Sequence, residues 1–318
     1  MIVALSLLAG AVVAGWLVPG RLRALDPRRH DPLLLIVCWL LSILGVVLAA
    51  VTAVVLLLLP SHGGFGPLLT TVTSCWSSIQ HGSPPAVEEI GGMLGVLILG
   101  AAAIRLAIVG GRAMRRRSRT RRQHLATLRL AARSDRGVPT TLWLAHDRPL
   151  AFSLGGRRGV VVATEGLRRH LDGEAVAAVL AHEHAHLAGR HHQLVAFADA
   201  LRAACPFLPL FRQAPGAIRE LVELAADVAA TRRFGARAVR SALLAVAGCG
   251  VPAGALAMGR DAMDLRLARL DRDSLPPAGL LRAVTCGAAG TTAMVLPFLA
   301  SATVALSAAL IACPLTAH

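Results

Sequence analysis

Long apolar stretches separated by short polar segments dominate the chain. Four of them, at residues 2–19, 33–59, 90–111 and 283–313, are long enough to cross a bilayer as helices rising about 1.5 Å per residue. Pro297 falls inside the fourth stretch, where we expect a kink. The pattern therefore predicts a mainly α membrane protein with four transmembrane helices.

The first stretch has a competing interpretation as a secretory signal peptide. Such a peptide carries positive charge before its apolar core, whereas here Arg21, Arg23, Arg28 and Arg29 follow it. We therefore expect residues 2–19 to be an uncleaved helix whose N-terminus lies outside the cell.

Arginine distribution predicts the orientation of the spans in a cell membrane. The first loop is rich in Arg, the outer loop 60–89 has no Arg or Lys, and the third loop opens with Arg112 and further arginines. By the positive-inside rule both termini lie outside. The expected units are three helices in 1–111, a cytoplasmic domain in 112–282, and the fourth helix with a short outer tail in 283–318.

The cytoplasmic segment has a mixed α+β pattern. A basic helix is predicted at about 113–134, and β-rich runs follow at 140–145, 149–153 and 159–163, separated by Gly and Asp turns. The later stretch 191–214 is moderately apolar but is interrupted by charges and prolines. We interpret it as an amphipathic or interfacial helix rather than a fifth span.

Composition changes this picture little. The formal net charge is +15, yet the arginines flank apolar runs and are not interleaved with aromatics. We therefore expect a lipid bilayer as the partner of this charge and no direct binding of nucleic acid. The six cysteines lack metal-type spacing. Cys75 and Cys313 fall on the same outer side, so a disulfide between them stays open.

The segment "LDGEAVAAVLAHEHAHLAG" switches to helical spacing, with Asp172 as N-cap and Gly189 as the stop. His182 and His186 are one turn apart, so both imidazoles can bind one Zn²⁺. Glu183 can lean over the metal without binding it. It would take a proton from the attacking water and later deliver it to the leaving amine.

A short HExxH motif alone is weak, but "RELVELAADVAATRRFG" follows downstream. Glu223 is the expected third ligand, which leaves an open position for water. Asp227, four residues later, would accept a hydrogen bond from a ligand imidazole, His182 being the favoured donor. Glu220 is the rival third ligand, but no acid stands four residues after it.

The remaining histidines of this region carry less weight. His184 points away from the ligand face and is expected to be a surface or packing residue. His191 and His192 could orient substrate or hold an oxyanion. The alternative, that they are solvated residues after a helix end, is favoured by their position alone.

At these residues the chain resembles a known family. Four spans with "VLAHEHAHLAGRHH" and "ELAADVAA" resemble the BlaR/MecR-type membrane zinc metallopeptidases, the antirepressors of β-lactam signalling, most specifically across 159–230. The resemblance implies a gluzincin-type domain between spans three and four, holding one zinc ion. It also implies the zinc and catalytic roles of the HExxH residues and Glu223. The later "DLRLARL" suggests that Arg266 and Arg269 help to structure the site or contact substrate.

The resemblance also suggests a substrate. BlaR and MecR carry a penicillin-binding sensor domain after the last span, whereas this chain ends at "ACPLTAH". We therefore expect no covalent β-lactam sensing and a BlaI/MecI-like winged-helix repressor as substrate. The family further implies that an edge strand beside the active helix, here 159–163, binds the peptide.

Our leading interpretation is an integral-membrane zinc endopeptidase that cleaves a cytoplasmic protein in signal transduction. Two alternatives stay open. One is a quality-control or processing protease of the HtpX or CAAX type, which shares HExxH and a downstream acidic pair. The other is a catalytically idle signalling scaffold, against which the intact Glu183 argues.

Overall fold

A computed structural model describes residues 2–58, 85–135, 140–156, 159–248, 256–271 and 279–312. Nine helices and four strands lie within these residues. In chain order they are α1 (Ile2–Ala24), α2 (Pro32–Leu58), α3 (Pro85–Ala131), β1 (Ala132–Asp135), β2 (Thr140–Leu144), β3 (Ala151–Leu154), β4 (Val160–Thr164), α4 (Glu165–His170), α5 (Gly173–Ala188), α6 (His191–Ala204), α7 (Pro209–Gly248), α8 (Leu256–Leu270) and α9 (Gly279–Ala312).

Four of the described helices, α1, α2, α3 and α9, are long and apolar enough to cross a membrane. Helices α1, α2 and α9 pack together through small residues. A Cβ at Gly10 would collide with Ser301 of α9, and one at Gly45 would collide with the Met294 carbonyl. Such close approach of helix backbones is typical of membrane bundles. The proposed Cys75–Cys313 pairing lies outside the described residues.

The third apolar helix and the basic helix are one continuous element, α3. The prediction that the basic helix runs to residue 134 was wrong, because it ends at Ala131 and Ala132–Asp135 form β1. β1 pairs antiparallel with β2, with Ala132 opposite Leu144. Pairing with the next strand along the chain, in a hairpin, overrides the local helical preference here.

The sheet has the order β1-β2-β4-β3, which corrects one expectation about substrate binding. The predicted edge strand, residues 159–163, corresponds to β4, and β4 lies between β2 and β3. All five of its residues are buried, as expected of an apolar run with neighbours on both sides. The edge strand beside the HExxH helix is β3.

Helix α5 begins as the sequence predicts and packs against α7. The Asp172 carboxylate accepts a hydrogen bond from the Ala175 N–H at 2.7 Å, which caps the helix. Ala178 and Ala181 share a core cluster with Ala230 of α7. These small side chains let the two helix backbones approach closely, which brings the HExxH turn beside the acidic residues of α7.

Stretch 191–214 is not a single helix but two, α6 and the start of α7, joined by residues 205–208. The break lies at Pro206 and Pro209, where the sequence indicated an interruption. Both arms pack into the apolar bundle. Leu210 and Phe211 belong to the same buried cluster as Trp39 of α2.

The loop between α1 and α2 is fastened to the later helices by arginines. Arg282, at the start of α9, donates to the Asp31 carboxylate through both Nε and a terminal nitrogen, the latter at 2.7 Å. Arg269 of α8 donates to the carbonyls of Pro27 and His30. The loop therefore joins α1 and α2 to α8 and α9.

Candidate metal centre

Two imidazoles of α5 and one carboxylate of α7 converge at the centre of the site. The Nε2 atoms of His182 and His186 lie 3.1 Å apart. Oε2 of Glu223 is 3.5 Å from His182 Nε2, and its Oε1 is 3.5 Å from His186 Nε2. Among the described residues this trio forms a group whose ligand atoms could hold a metal ion.

These separations fit a tetrahedral zinc ion. Ligand atoms about 2.1 Å from zinc stand about 3.4 Å apart at the corners of a tetrahedron. The His182–His186 separation of 3.1 Å and the two 3.5 Å separations, each to a different oxygen of Glu223, lie close to that value. The chemistry also fits, since two imidazoles and one carboxylate leave a fourth position open for water or substrate, as in catalytic zinc sites.

Asp227 and Arg266 support His182 from behind. The Asp227 carboxylate is buried and lies 2.9 Å from His182 Nδ1. Nδ1 therefore carries the proton that is donated to Asp227, which leaves the Nε2 lone pair for a metal. Arg266 donates to both Asp227 oxygens, at 2.7 and 2.8 Å, and its third nitrogen lies 3.5 Å from Glu223.

The charges of this half of the site are strongly coupled. Burial acts to raise the pKa of Asp227, but His182 and Arg266 overcome it and lower the pKa to about 2. Burial acts to lower the pKa of His182, yet its hydrogen bonds to Asp227 and Glu223 raise that pKa to about 9. Without a metal His182 is therefore protonated at both nitrogens, and a divalent ion would take the place of the Nε2 proton beside the carboxylates.

His186 has a different supporting partner. Its Nδ1 lies 2.9 Å from Nδ1 of His191, which is buried with 5% of its surface exposed. Burial lowers the pKa of both imidazoles to about 4. Both rings are therefore neutral, and His186 can donate from Nδ1 to His191 while its Nε2 lone pair faces the metal position.

The chain reversal between α5 and α6 brings His191 to this place. Arg190 has a φ of 50°, a left-handed conformation uncommon for a residue other than glycine. Gly189 leaves room for the His191 ring, with which any Cβ at this position would collide. The expectation that His191 is solvated was wrong, because this turn folds its ring back under α5.

His192 lies on the other side of the same turn, against the edge strand. Its Nε2 is 3.2 Å from the hydroxyl of Ser153 on β3. Its ring is stacked on that of His186, with centroids 6.2 Å apart. A Cβ at Gly155 would lie 2.6 Å from this ring, so the glycine lets the imidazole rest against the end of β3.

The other residues singled out from the sequence fall in distinct places. Glu183 is half-buried on α5, within electrostatic range of Arg266. His184 is half-buried beside Arg233, and its pKa is lowered by burial and by that arginine. Glu220 does not join the ligand trio and lies near Arg23 of α1. Arg269 donates to the loop between α1 and α2, whereas Arg266 supports the ligand residues.

The sequence alone gave too little weight to His191 and to strand β3. His182, His186 and Glu223 come together, Asp227 contacts His182, and Glu183 stands next to His182 on α5. The roles of His191 and of the strand β3 depend on the Arg190 turn and on the strand order. The signal that could have indicated His191 is the glycine two residues before it, since Gly189 is where a ring can approach the backbone.

An HExxH helix with a third carboxylate from a second helix, in a chain with long apolar helices, defines a membrane-associated metallopeptidase site. Comparison with known proteins agrees. Residues 115–248, about two fifths of the chain, match the model of peptidase family M48, whose members are zinc-dependent metallopeptidases. The matched segment includes the whole ligand trio. No curated protein and no solved structure matches the chain.

Proposed function

We propose that the chain is an integral-membrane zinc endopeptidase that hydrolyses peptide bonds of a protein substrate. The observation that carries this proposal is the convergence of His182, His186 and Glu223 at zinc-like separations, with Glu183 next to His182 in the chain. The match of the same segment to the M48 peptidases supports it independently.

Zinc, when bound by these three residues, would polarise the scissile carbonyl and lower the pKa of water. The protein supplies the rest. Glu183 stands one residue after the first ligand, where its carboxylate accepts the proton of the attacking water and returns it to the leaving amine. Asp227 orients the ring of His182, and His191 orients the ring of His186, so that the Nε2 lone pairs of both ligands face the metal position.

Strand β3 is the proposed docking edge for the substrate. It is the free edge on the side of α5, so an extended peptide can add to it through main-chain hydrogen bonds. Leu150 and Phe152 expose 44% and 41% of their surfaces there. Main-chain pairing would place the peptide along the ligand helix, and exposed apolar side chains favour apolar residues in it.

For the topology we retain the orientation indicated by the arginines, with both termini outside and the peptidase domain in the cytoplasm. The proposed substrate is then a cytoplasmic protein. A winged-helix repressor of the BlaI/MecI type fits the resemblance to the antirepressor peptidases. The M48 match is equally compatible with a quality-control or processing protease of the HtpX or CAAX type.

The decisive variant is Glu183→Gln in the full chain, reconstituted in lipid and compared at equal zinc content. The amide keeps the size of the side chain but cannot take the proton, so we expect cleavage to fall by about 100-fold or more. Glu174→Gln is the matched control, since Glu174 lies exposed in the first turn of the same helix. Unchanged cleavage in Glu183→Gln would remove the proposed base.

The substrate is tested separately by offering two kinds of protein to the same vesicles. A winged-helix repressor cut at one site, with an unfolded membrane protein left intact, would support the signalling function. The reverse selectivity would support the quality-control function. Absence of cleavage in the wild type with zinc bound would leave the scaffold as the better account.

A further inference from the structure

Helices α6 and α7 form a hairpin between the metal centre and the apolar bundle. Its arms are His191–Ala204 and the first fifteen residues of α7, and its tip is residues 205–208. The ligand-supporting His191 begins one arm, and the ligand Glu223 ends the other. The tip therefore lies at the far end of the hairpin from the zinc ligands, about 21 Å away along either helix.

Helix α3 gives a first measure of where the tip lies. A Cβ at Gly110 would stand 3.9 Å from the Ala200 Cβ, and Cys205 lies within electrostatic range of Arg105. The arm therefore runs antiparallel to this span, from beside Gly110 toward Arg105. Gly110 is two residues before Arg112, and Cys205 is five residues past Ala200, so at about 1.5 Å per residue Cys205 lies about 10 Å inside the basic end of the span.

Helix α1 gives a second, independent measure. A Cβ at Gly15 would stand 3.1 Å from a methyl carbon of Leu208. Gly15 is six residues before Arg21, where the basic end of α1 begins, a distance of about 9 Å. The two helices therefore place the tip at nearly the same depth below their basic ends.

The surface of the tip suits lipid rather than water. Phe207 exposes 80% of its surface at the turn, although the helices on either side are buried in the bundle. Arg202 and Arg212 are exposed and stand five residues before and after it. Long arginine side chains at that distance can reach back to phosphate headgroups while the apolar turn lies deeper.

We propose that the α6–α7 hairpin is a re-entrant segment whose tip inserts among the acyl chains of the inner leaflet. Its arms then hold the metal centre about 10 Å beyond the inner ends of the spans, at the membrane surface. This inference depends on the spans and on the packing of the hairpin. It does not depend on catalysis, so it can fail while the proposed function stands.

The test measures depth in the full chain, in phosphatidylcholine and phosphatidylglycerol vesicles. The native cysteines are replaced by alanine, and a spin label is attached to Phe207→Cys. Its collisions with oxygen, which concentrates in the acyl region, are compared with those of a water-soluble nickel chelate. Trp16→Cys in α1 is the lipid control, and Leu244→Cys, half-exposed in the last part of α7, is the aqueous control.

We expect the label at 207 to match the label at 16, with oxygen accessibility exceeding that of nickel. Phe197→Cys, 46% exposed higher on the same arm, should give a value between the two controls. A label at 207 that matches position 244 would overturn the proposal. So would a label shielded from both reagents with dipolar broadening between labels, since a second copy of the chain would then cover the tip.

Discussion

The two ligand histidines lie one turn apart on one helix, yet they are supported by opposite kinds of chemistry. His182 donates to the buried carboxylate of Asp227. That carboxylate in turn accepts a bidentate pair of hydrogen bonds from Arg266. His186 faces a neutral imidazole, His191, in a pocket whose burial keeps both rings uncharged. We call these the charged side and the neutral side of the centre.

The different partners of His182 and His186 show how one site can attract a metal ion through a buried charge and orient its second ligand without one. On the charged side, negative charge raises the electron density at His182 and attracts a cation. On the neutral side, orientation is fixed without adding charge. We therefore expect loss of the charged side to cost more zinc affinity and more stability than loss of the neutral side.

The largest expected effect belongs to Asp227→Asn. The amide leaves Arg266 without a full partner in a buried place and removes the negative charge behind His182. We expect zinc affinity to fall by about 100-fold and the unfolding free energy to fall by about 3 kcal/mol or more. Competition with a chromophoric chelator measures the first, and thermal unfolding in detergent measures the second. A loss of less than twofold in zinc affinity would contradict the role assigned to the charged side in holding the metal.

Arg266→Met comes next. It removes the partner of Asp227 but leaves the carboxylate to hold His182, so zinc affinity should fall by about 10-fold. Arg269→Met is the matched control, because Arg269 lies one turn along the same helix and donates to the loop between α1 and α2. We expect it to change stability while leaving zinc affinity within about twofold. Equal losses of affinity would indicate that the metal centre depends on α8 as a whole.

The neutral side is tested by His191→Leu, which leaves the Nδ1–H of His186 unpaired in a buried pocket. We expect zinc affinity to fall by several-fold, up to about 10-fold, less than for Asp227→Asn. His191→Asn, which restores an acceptor, should recover part of that loss. If His191→Leu weakened zinc more than Asp227→Asn, the comparison of the two sides would be reversed.

The smallest effect is expected from Gly189→Ala, whose methyl group would collide with the His191 ring. The variant should weaken zinc binding by a few-fold at most, and only through displacement of that ring. Added to His191→Leu it should have no further effect, which a double-mutant cycle measures. A full additive loss would show that the glycine acts on the helix end and not on His191.

The two ligand histidines and the two acidic residues were open to prediction from the sequence, whereas the partner of His186 was not. His182, His186, Glu223 and Asp227 each follow from a spacing of four residues within a helix, which is a local property. The His186–His191 contact requires a left-handed residue at position 190, a choice that local preference disfavours. Nothing in the spacing indicated that the turn would fold inward.

Long-range pairings limited the rest. The four apolar helices and the three strands at 140–164 were predicted from periodicity, whereas β1 depends on its hairpin pairing with β2 and the strand order on the parallel pairing of β2 with β4. The same holds for Arg266 and Arg269, which are three residues apart in one motif. Only the fold determines that Arg266 donates to Asp227 and that Arg269 donates to the loop between α1 and α2.

The most direct test of the zinc centre is X-ray absorption at the zinc edge of the purified full chain, combined with its metal content. The account predicts one zinc ion per chain, with two imidazole nitrogens and further oxygen ligands at about 2.0–2.1 Å. Glu223→Gln should keep the imidazole scattering and lose occupancy. A chain without tightly bound zinc, or a zinc ion coordinated by sulfur or without imidazole scattering, would contradict it.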